Sequence, residues 1–127
     1  LYNIRMLIKN LLLNNQKEKK NLEKEFEQFK FIFDQFIKTS EQINSEIIFV
    51  FFSDKNALSK SKIDIMDENV INFIKSKDLI LINIHEIMKN SGNYKKFFPF
   101  DGKRFGHFNE AGYELVSKEI EKYLINK

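Results

Sequence analysis

EIIFVFF, residues 46–52, is the stretch that decides the fold class. It is a continuous run of β-branched and aromatic residues, with polar pairs at 44–45 before it and 53–54 after it. An apolar run of this length without alternation is typical of a strand buried on both faces, as parallel sheets require. LILINI at 79–84 has the same character and predicts a second buried strand.

Helical spacing surrounds the two runs. Residues 2–13 predict a short helix that ends at Asn14-Asn15-Gln16, and residues 17–44 predict a long amphipathic helix with one aromatic face. The apolar residues of that face are Leu22, Phe26, Phe29, Phe33, Phe36 and Ile37. We expect the long helix to pack on a sheet, and a coiled-coil seam or a partner groove is the alternative.

The stretch between the two strands predicts a loop followed by a helix. Residues 53–62 are polar and predict the loop, and Asp64 or Asp67 is expected to start the helix. A single helical turn at 86–89 follows the second strand. This order predicts an α/β fold with a parallel sheet.

Composition limits the classes of function. The 127 residues and 15.2 kDa fit a single domain, 1–127. The formal charge of +3 comes mostly from lysines interleaved with Glu and Asp, which favours a solvated surface and predicts no nucleic-acid partner. The absence of Cys excludes disulfides and thiolate chemistry, and no apolar run is long enough to span a membrane. The abundance of Lys, Asn and Ile is typical of a low-GC bacterial genome.

The N-terminus predicts that the chain belongs to a longer protein. It begins on Leu1 rather than Met, and its apolar run lacks the cleavage pattern of a signal peptide. Two strands are few for a sheet covered on both faces, so the remaining strands are expected upstream.

The segment FFPFDGKRFGHFNEAGYELVSKEIEKYL, 97–124, places one of two histidines in a glycine-rich turn before a helix. Asn109 is expected to cap that helix, and Glu110 adds negative charge to its first turn. The buried stripe of the helix is predicted to contain Val116, Ile120, Tyr123 and Leu124. His107 then lies beyond the carboxyl end of a strand, where open α/β sheets bind their ligands.

Residues 101–124 resemble the last conserved block of the SGNH (GDSL-like) hydrolases, in which an Asp precedes a His, an Asn follows, and an amphipathic helix closes the domain. The order of the preceding elements agrees with that family. The resemblance implies a three-layer α/β/α, flavodoxin-like fold with a parallel sheet, of which this chain is the C-terminal portion. It also implies an ester hydrolase or acyl-transfer activity on a small acyl ester, including an acetylated carbohydrate, without cofactor or metal.

The resemblance implies that His107 is the general base of a serine-type mechanism and that Asp101 orients it. The family spacing is Asp-x-x-His, whereas Asp101 and His107 are six residues apart. Gly102 and Gly106 can fold the loop back to bring the two together. Alternatively, a backbone carbonyl orients His107, and Asp101 belongs to an Asp-Gly turn.

The nucleophile of the family has no counterpart in this chain. Every Gly lies at position 92 or beyond, and none stands two residues before a Ser, so the Gly-Asp-Ser block is expected upstream.

Other readings of the same residues stay open. Phe105, Phe108 and Tyr113 are expected to pack in a core rather than wall a pocket, and Arg104 is expected to face solvent rather than a substrate anion. His107 itself has a purely structural alternative, in which it helps to cap the loop. His85, beside Glu86 at a strand end, is not expected to bind metal.

The rival function is a non-catalytic α/β interaction module. In that reading the aromatic face of helix 17–44 docks a partner chain.

Overall fold

The sheet of this protein, in a computed structural model, consists of two parallel strands. The structure describes residues 2–52, 55–60, 63–102 and 107–125. Side chains are described for residues 19–52, 55–60, 63–100 and 107–125. Strand β1, Ile48–Phe51, pairs with strand β2, Ile80–Asn83, with Ile48 opposite Ile80 and Phe51 opposite Asn83. The predicted mixed α/β class with a parallel pair is confirmed, although helices predominate.

The described chain divides into two compact units, Leu1–Glu46 and Ile47–Lys127. The first unit consists of one helix, α1, Tyr2–Gln42, so the predicted break at 14–16 is wrong. Asn and Gln cost only a few tenths of a kcal/mol each in a helix interior, and no Gly or Pro occurs in this unit to stop it. After α1, Asn44 adopts a left-handed conformation with φ of 51°, which terminates the helix.

The connection from β1 to β2 contains two helices, α2 and α3. Helix α2, Lys55–Ser59, lies in the stretch predicted as a loop; it forms one turn that buries Ala57 and Leu58. Helix α3, Ile65–Ser76, begins directly after Asp64, which confirms the first of the two predicted start positions. The Asp64 side chain makes no capping bond and instead accepts from Lys60 Nζ at 2.8 Å.

Beyond β2 the chain forms helix α4, Ile84–Asn90, two 3-10 helices, Tyr94–Phe97 and Pro99–Gly102, and helix α5, Glu110–Ile125. Helix α4 is longer than the predicted turn, since it begins at Ile84, which was predicted as strand. Asn83 ends β2 and caps α4, because its Oδ1 accepts a hydrogen bond from Glu86 N at 3.2 Å.

The core of the second unit lies where α2, α4 and the first 3-10 helix meet. The buried residues of this cluster are Leu58, Ile84, Met88, Phe97 and Phe98. Val50 and Ile82 of the strands pack against this cluster and are only half-buried.

The burial predicted for the strands and for α5 needs two corrections. Apart from Phe51, every strand residue is half-buried, so the prediction of strands buried on both faces is wrong for the described residues. On α5, Val116, Ile120 and Tyr123 of the predicted buried stripe are likewise only half-buried, and Leu124 in the last turn of the helix is 56% exposed.

No helix within the described ranges has the length and apolarity to cross a membrane.

Candidate functional site

Asn109 organises the C-terminal turn, which we define as residues 96–102 and 107–113. Its Nδ2 donates to the backbone carbonyls of Lys96 at 2.8 Å and Phe98 at 3.2 Å. Its Oδ1 accepts from Gly112 N at 3.0 Å, which confirms the predicted cap of α5. The backbone adds a further link, since Asn109 N donates to Phe97 O at 3.0 Å. One residue thus ties the start of α5 to the 3-10 region.

Gly112 allows α5 to approach this region closely. A Cβ at position 112 would lie 2.6 Å from Phe97 O and 2.7 Å from Phe108 Cβ. Neither atom is the far end of a flexible side chain, so a larger residue requires the helix to move. The sequence analysis included Gly112 only as part of a motif, and the structure shows that close packing requires a glycine at this position.

Aromatic contacts fix the residue that follows His107. The ring of Phe108 lies 5.2 Å from that of Phe98, 5.8 Å from Phe52 and 5.9 Å from Tyr113, measured between centroids. Phe108 also packs against the core cluster. Its role is packing, as expected, whereas Tyr113 is 56% exposed.

His107 is exposed and lies in a bend between the second 3-10 helix and α5. The next two residues, Phe108 and Asn109, are held by ring contacts and by hydrogen bonds. An accessible imidazole beside anchored residues can exchange a proton with a ligand without moving the chain around it. Sequence reasoning placed His107 correctly in a turn before a capped helix.

Asp101 lies in the second 3-10 helix, Pro99–Gly102. Its side chain, together with residues 103–106, which include Arg104 and Phe105, falls outside the described part of the chain. The two predicted ways of orienting His107, by Asp101 or by a carbonyl, therefore both stay predictions.

Phe100, directly before Asp101, has an unusual backbone conformation that the sequence did not predict. Its φ is 53°, and its side chain is 66% exposed. Among the described residues, the other non-glycine positions with positive φ are Asn44 and Asp78, whose short polar side chains tolerate this region. For a phenylalanine the left-handed conformation costs roughly 1–2 kcal/mol. No local sequence signal marks this position.

His85 differs from His107 in its position in the fold and in its burial. It is the second residue of α4 rather than the end of a strand, its exposed fraction is 5%, and its ring lies 6.3 Å from that of Phe51. Burial lowers the pKa of His85, and the nearby Lys89 lowers it further. Asp67 and Glu86 act in the opposite direction. Among the residues whose side chains are described, no cluster of three metal-binding groups occurs.

The aromatic face of α1 is a separate candidate. We call Leu22, Phe26, Phe29, Phe33 and Phe36 the α1 stripe. Successive phenylalanine rings lie 6.4, 5.5 and 5.9 Å apart along the helix. Three of these phenylalanines are half-buried, whereas Leu22 is 40% and Phe36 is 53% exposed.

Comparisons of this chain with protein-family models, with curated proteins and with solved structures find no match. The resemblance to the SGNH hydrolases stays a prediction from residues 101–124.

Proposed function

We propose that the C-terminal turn is the acid–base part of an SGNH-like acyl-ester hydrolase or acyl transferase, with His107 as the general base. The observation that carries the proposal is the exposure of His107 beside two anchored residues, Phe108 and Asn109. A general base must reach its substrate while keeping a fixed position, and the exposure of His107 and the contacts of the two residues that follow it support this role.

The proposed mechanism has two steps. In the first, His107 takes the proton of a serine hydroxyl as the serine oxygen attacks the acyl carbon; the tetrahedral intermediate then expels the alcohol, which receives that proton from His107. In the second, His107 takes a proton from water or an acceptor alcohol, whose oxygen attacks the acyl-enzyme, and returns it to the serine. An acetylated carbohydrate is the substrate class that the family resemblance favours.

The proposal requires a larger fold than the described sheet. A three-layer α/β/α arrangement would place further strands beside β1 and β2, and the serine and the oxyanion donors would come from an upstream segment of the natural polypeptide. His107 would then face the serine across the carboxyl ends of the strands.

The test uses the full natural polypeptide and a fluorophosphonate serine probe. A mass above 15.2 kDa that gains one adduct is expected, together with turnover of an aryl acetate. His107→Ala should reduce kcat by about 10²–10⁴-fold, which is the usual contribution of general acid–base catalysis. Glu110→Gln is the control, because Glu110 is an exposed residue of the same turn.

Unchanged turnover in the folded His107→Ala variant would refute the assignment. A polypeptide of 15.2 kDa without adduct would refute the hydrolase itself. Asp101→Asn separates the two orienting groups: a large loss of kcat supports Asp101, and a nearly unchanged rate supports a carbonyl.

The second candidate is the interaction module, and exposed apolar residues on α1 favour it. Apart from the α1 stripe, Phe31 is 68% and Ile32 is 67% exposed. Apolar residues concentrated on one exposed helix favour contact with another protein surface.

A further inference from the structure

Two exposed aromatic side chains contact the residue that follows His107. The ring of Phe52 lies 5.8 Å from that of Phe108, and the ring of Tyr113 lies 5.9 Å from it, measured between centroids. Phe52 and Tyr113 are each 56% exposed. We call Phe52, Phe108 and Tyr113 the aromatic surface. All three residues belong to the second unit of the chain, so the surface lies within one compact body.

The exposed parts of these rings do not contribute to the core. Phe98 is 3% exposed, and it and the half-buried Phe108 make the aromatic contacts between the turn and the core cluster. A single exposed aromatic ring is ordinary on a protein surface. Two exposed rings that contact the same residue, beside a candidate general base, form a surface that can hold a ligand of that base.

Regular elements carry both exposed residues. Phe52 directly follows β1, beyond the last pair of the sheet register, Phe51 with Asn83. Tyr113 lies in the first turn of α5, and its backbone amide donates to Asn109 O at 3.0 Å. A ligand therefore does not have to order the backbone at either position, which reduces the entropic cost of binding.

The size of the aromatic surface favours a small ligand over a protein. An aromatic side chain provides about 150–250 Å² of contact area, so two rings that are each 56% exposed offer on the order of 200 Å². A specific protein interface buries about 800 Å² on each partner. A single ring-shaped molecule is therefore the occupant that fits.

The chemistry of the surface favours a sugar ring. The face of an aromatic ring carries partial negative charge and attracts the polarised C–H bonds on the apolar face of a pyranose. The hydroxyl of Tyr113 can donate a hydrogen bond to a sugar hydroxyl and accept one from it.

The charges around Tyr113 favour a neutral ring. Glu110 lies three residues before Tyr113 on α5, and Glu114 directly follows it. Their negative charge disfavours an anionic ring such as a nucleotide. Lys118 Nζ contacts Glu114 Oε1 at 2.6 Å, which reduces the attraction of this region for a cation.

From position, exposure and chemistry together we propose that the aromatic surface binds the sugar ring of an acylated carbohydrate. Phe52 and Tyr113 then determine specificity for esters of a cyclic alcohol over esters of an open-chain alcohol. Because Phe108 contacts both rings and directly follows His107, an acyl group on the bound sugar lies close to the imidazole. This inference rests on the proposed function for the reaction and adds the residues that hold the substrate.

The first experiment compares two acetates on the full natural polypeptide. Glucose pentaacetate carries its esters on a ring, and glycerol triacetate carries them on an open chain. We expect Phe52→Ala and Tyr113→Ala each to raise KM for glucose pentaacetate about tenfold, within the range for stacking on an aromatic ring. Their kcat should stay within about twofold, because the lost contact acts on binding and not on the acyl carbon. Both variants should leave kcat/KM for glycerol triacetate unchanged.

Three further variants serve as controls. Phe31→Ala removes a ring that is 68% exposed on α1, and it should change the kinetics of neither acetate. Tyr113→Phe keeps the ring and should retain most of the preference for glucose pentaacetate. Phe52→Leu keeps an apolar side chain without the aromatic face and should behave like Phe52→Ala. Circular dichroism of each variant should match the wild type, because all three positions are more than half exposed.

An equal loss on both acetates in Phe52→Ala and Tyr113→Ala would overturn the inference, because the two rings would then support the turn and not the sugar. A Phe52→Leu variant with the wild-type preference would overturn it as well, since the aromatic face would then be unnecessary.

Saturation-transfer NMR with methyl glucoside separates a failure of this inference from a failure of the proposed function. Transfer from the protein to the C–H protons of the sugar is expected in the wild type and in His107→Ala, and it should be lost in Phe52→Ala. Transfer in a wild type that hydrolyses neither acetate would support the sugar site and refute the hydrolase. Turnover of glucose pentaacetate without transfer would overturn the sugar site and support the hydrolase.

Discussion

The C-terminal turn and helix α1 both depend on phenylalanine, but they use it in opposite ways. In the turn, Phe98 is 3% exposed, and its ring packs with Phe108 against the core. On α1, the rings of Phe33 and Phe36 lie 5.9 Å apart along one helix, and Phe31 and Phe36 are more than half exposed. Phenylalanine therefore stabilises the core in the turn, whereas on α1 two of its side chains lie mostly in solvent.

The sharpest test of this contrast removes the same side chain from each region. Phe98→Ala should lower the free energy of unfolding by about 3–5 kcal/mol, because it leaves a cavity in the core. Phe31→Ala should change it by less than about 0.5 kcal/mol, because an exposed ring loses little packing. Urea denaturation monitored by circular dichroism measures both. Similar losses in the two variants would mean that the contrast is wrong.

Gly112→Ala should have the next largest effect on the free energy of unfolding. At an ordinary helix position this change stabilises by up to about 1 kcal/mol. Here the new Cβ meets Phe97 O at 2.6 Å, so we expect a loss of about 1–3 kcal/mol, typical of overpacking. Ser117→Ala, at an exposed position of α5, is the control for helix propensity. A gain in stability from Gly112→Ala would contradict the close approach.

Asn109 allows the cap of α5 to be separated from the links to the 3-10 region. Asn109→Ala removes both and should cost about 2 kcal/mol. Asn109→Asp keeps the acceptor for Gly112 N but removes the two bonds donated to carbonyls, so its loss should be smaller but distinct from zero.

Thermal midpoints with Asn93→Ala as control measure these effects, because the Asn93 side chain makes no capping bond. A fully stable Asn109→Asp variant would show that the cap alone matters.

His85 is buried and His107 is exposed. The pH dependence of stability that follows from this difference is the smallest of the expected effects. The pKa of His85 is lower in the folded protein than its ordinary value of 6.5, chiefly because of burial. Between these two values the unfolded chain binds more protons than the folded one, so stability falls as the pH drops below 6.5 and stops falling below the folded pKa. Above 6.5 this contribution is complete.

The slope of unfolding free energy against pH measures this effect, and it cannot exceed about 1.4 kcal/mol per pH unit for one group. His85→Gln should remove this contribution to the slope. His107→Ala should keep it, because the buried imidazole is still present. An unchanged slope in His85→Gln would show that other groups cause the pH dependence.

The sequence predicted the elements whose signals are local. The apolar runs at 46–52 and 79–84 located both strands, and the preference of Asn for helix N-termini located the start of α5. The predicted break in α1 failed because Asn and Gln disfavour a helix only weakly. Helix α2 was missed because a single turn of five residues produces no periodic pattern.

The site was predictable only in part, because its geometry depends on contacts between distant residues. The bonds from Asn109 to Lys96 and Phe98 span 13 and 11 residues, and no local spacing encodes them. The left-handed conformation of Phe100 was equally invisible, since phenylalanine disfavours it. The pairing of Asp101 with His107 stays a prediction.

The two-stranded sheet has a consequence for how the chain behaves in solution. Among the described residues, each strand pairs with one neighbour only, so the outer main-chain edges of IFVF at 48–51 and ILIN at 80–83 have no strand beside them. Neither segment contains a charged residue or a proline, which natural edge strands use to prevent unwanted pairing. Both edges can therefore accept a further strand, either one that the proposed three-layer fold requires or one from another polypeptide, and a charge introduced there should disfavour that pairing more than the same charge placed elsewhere on the surface.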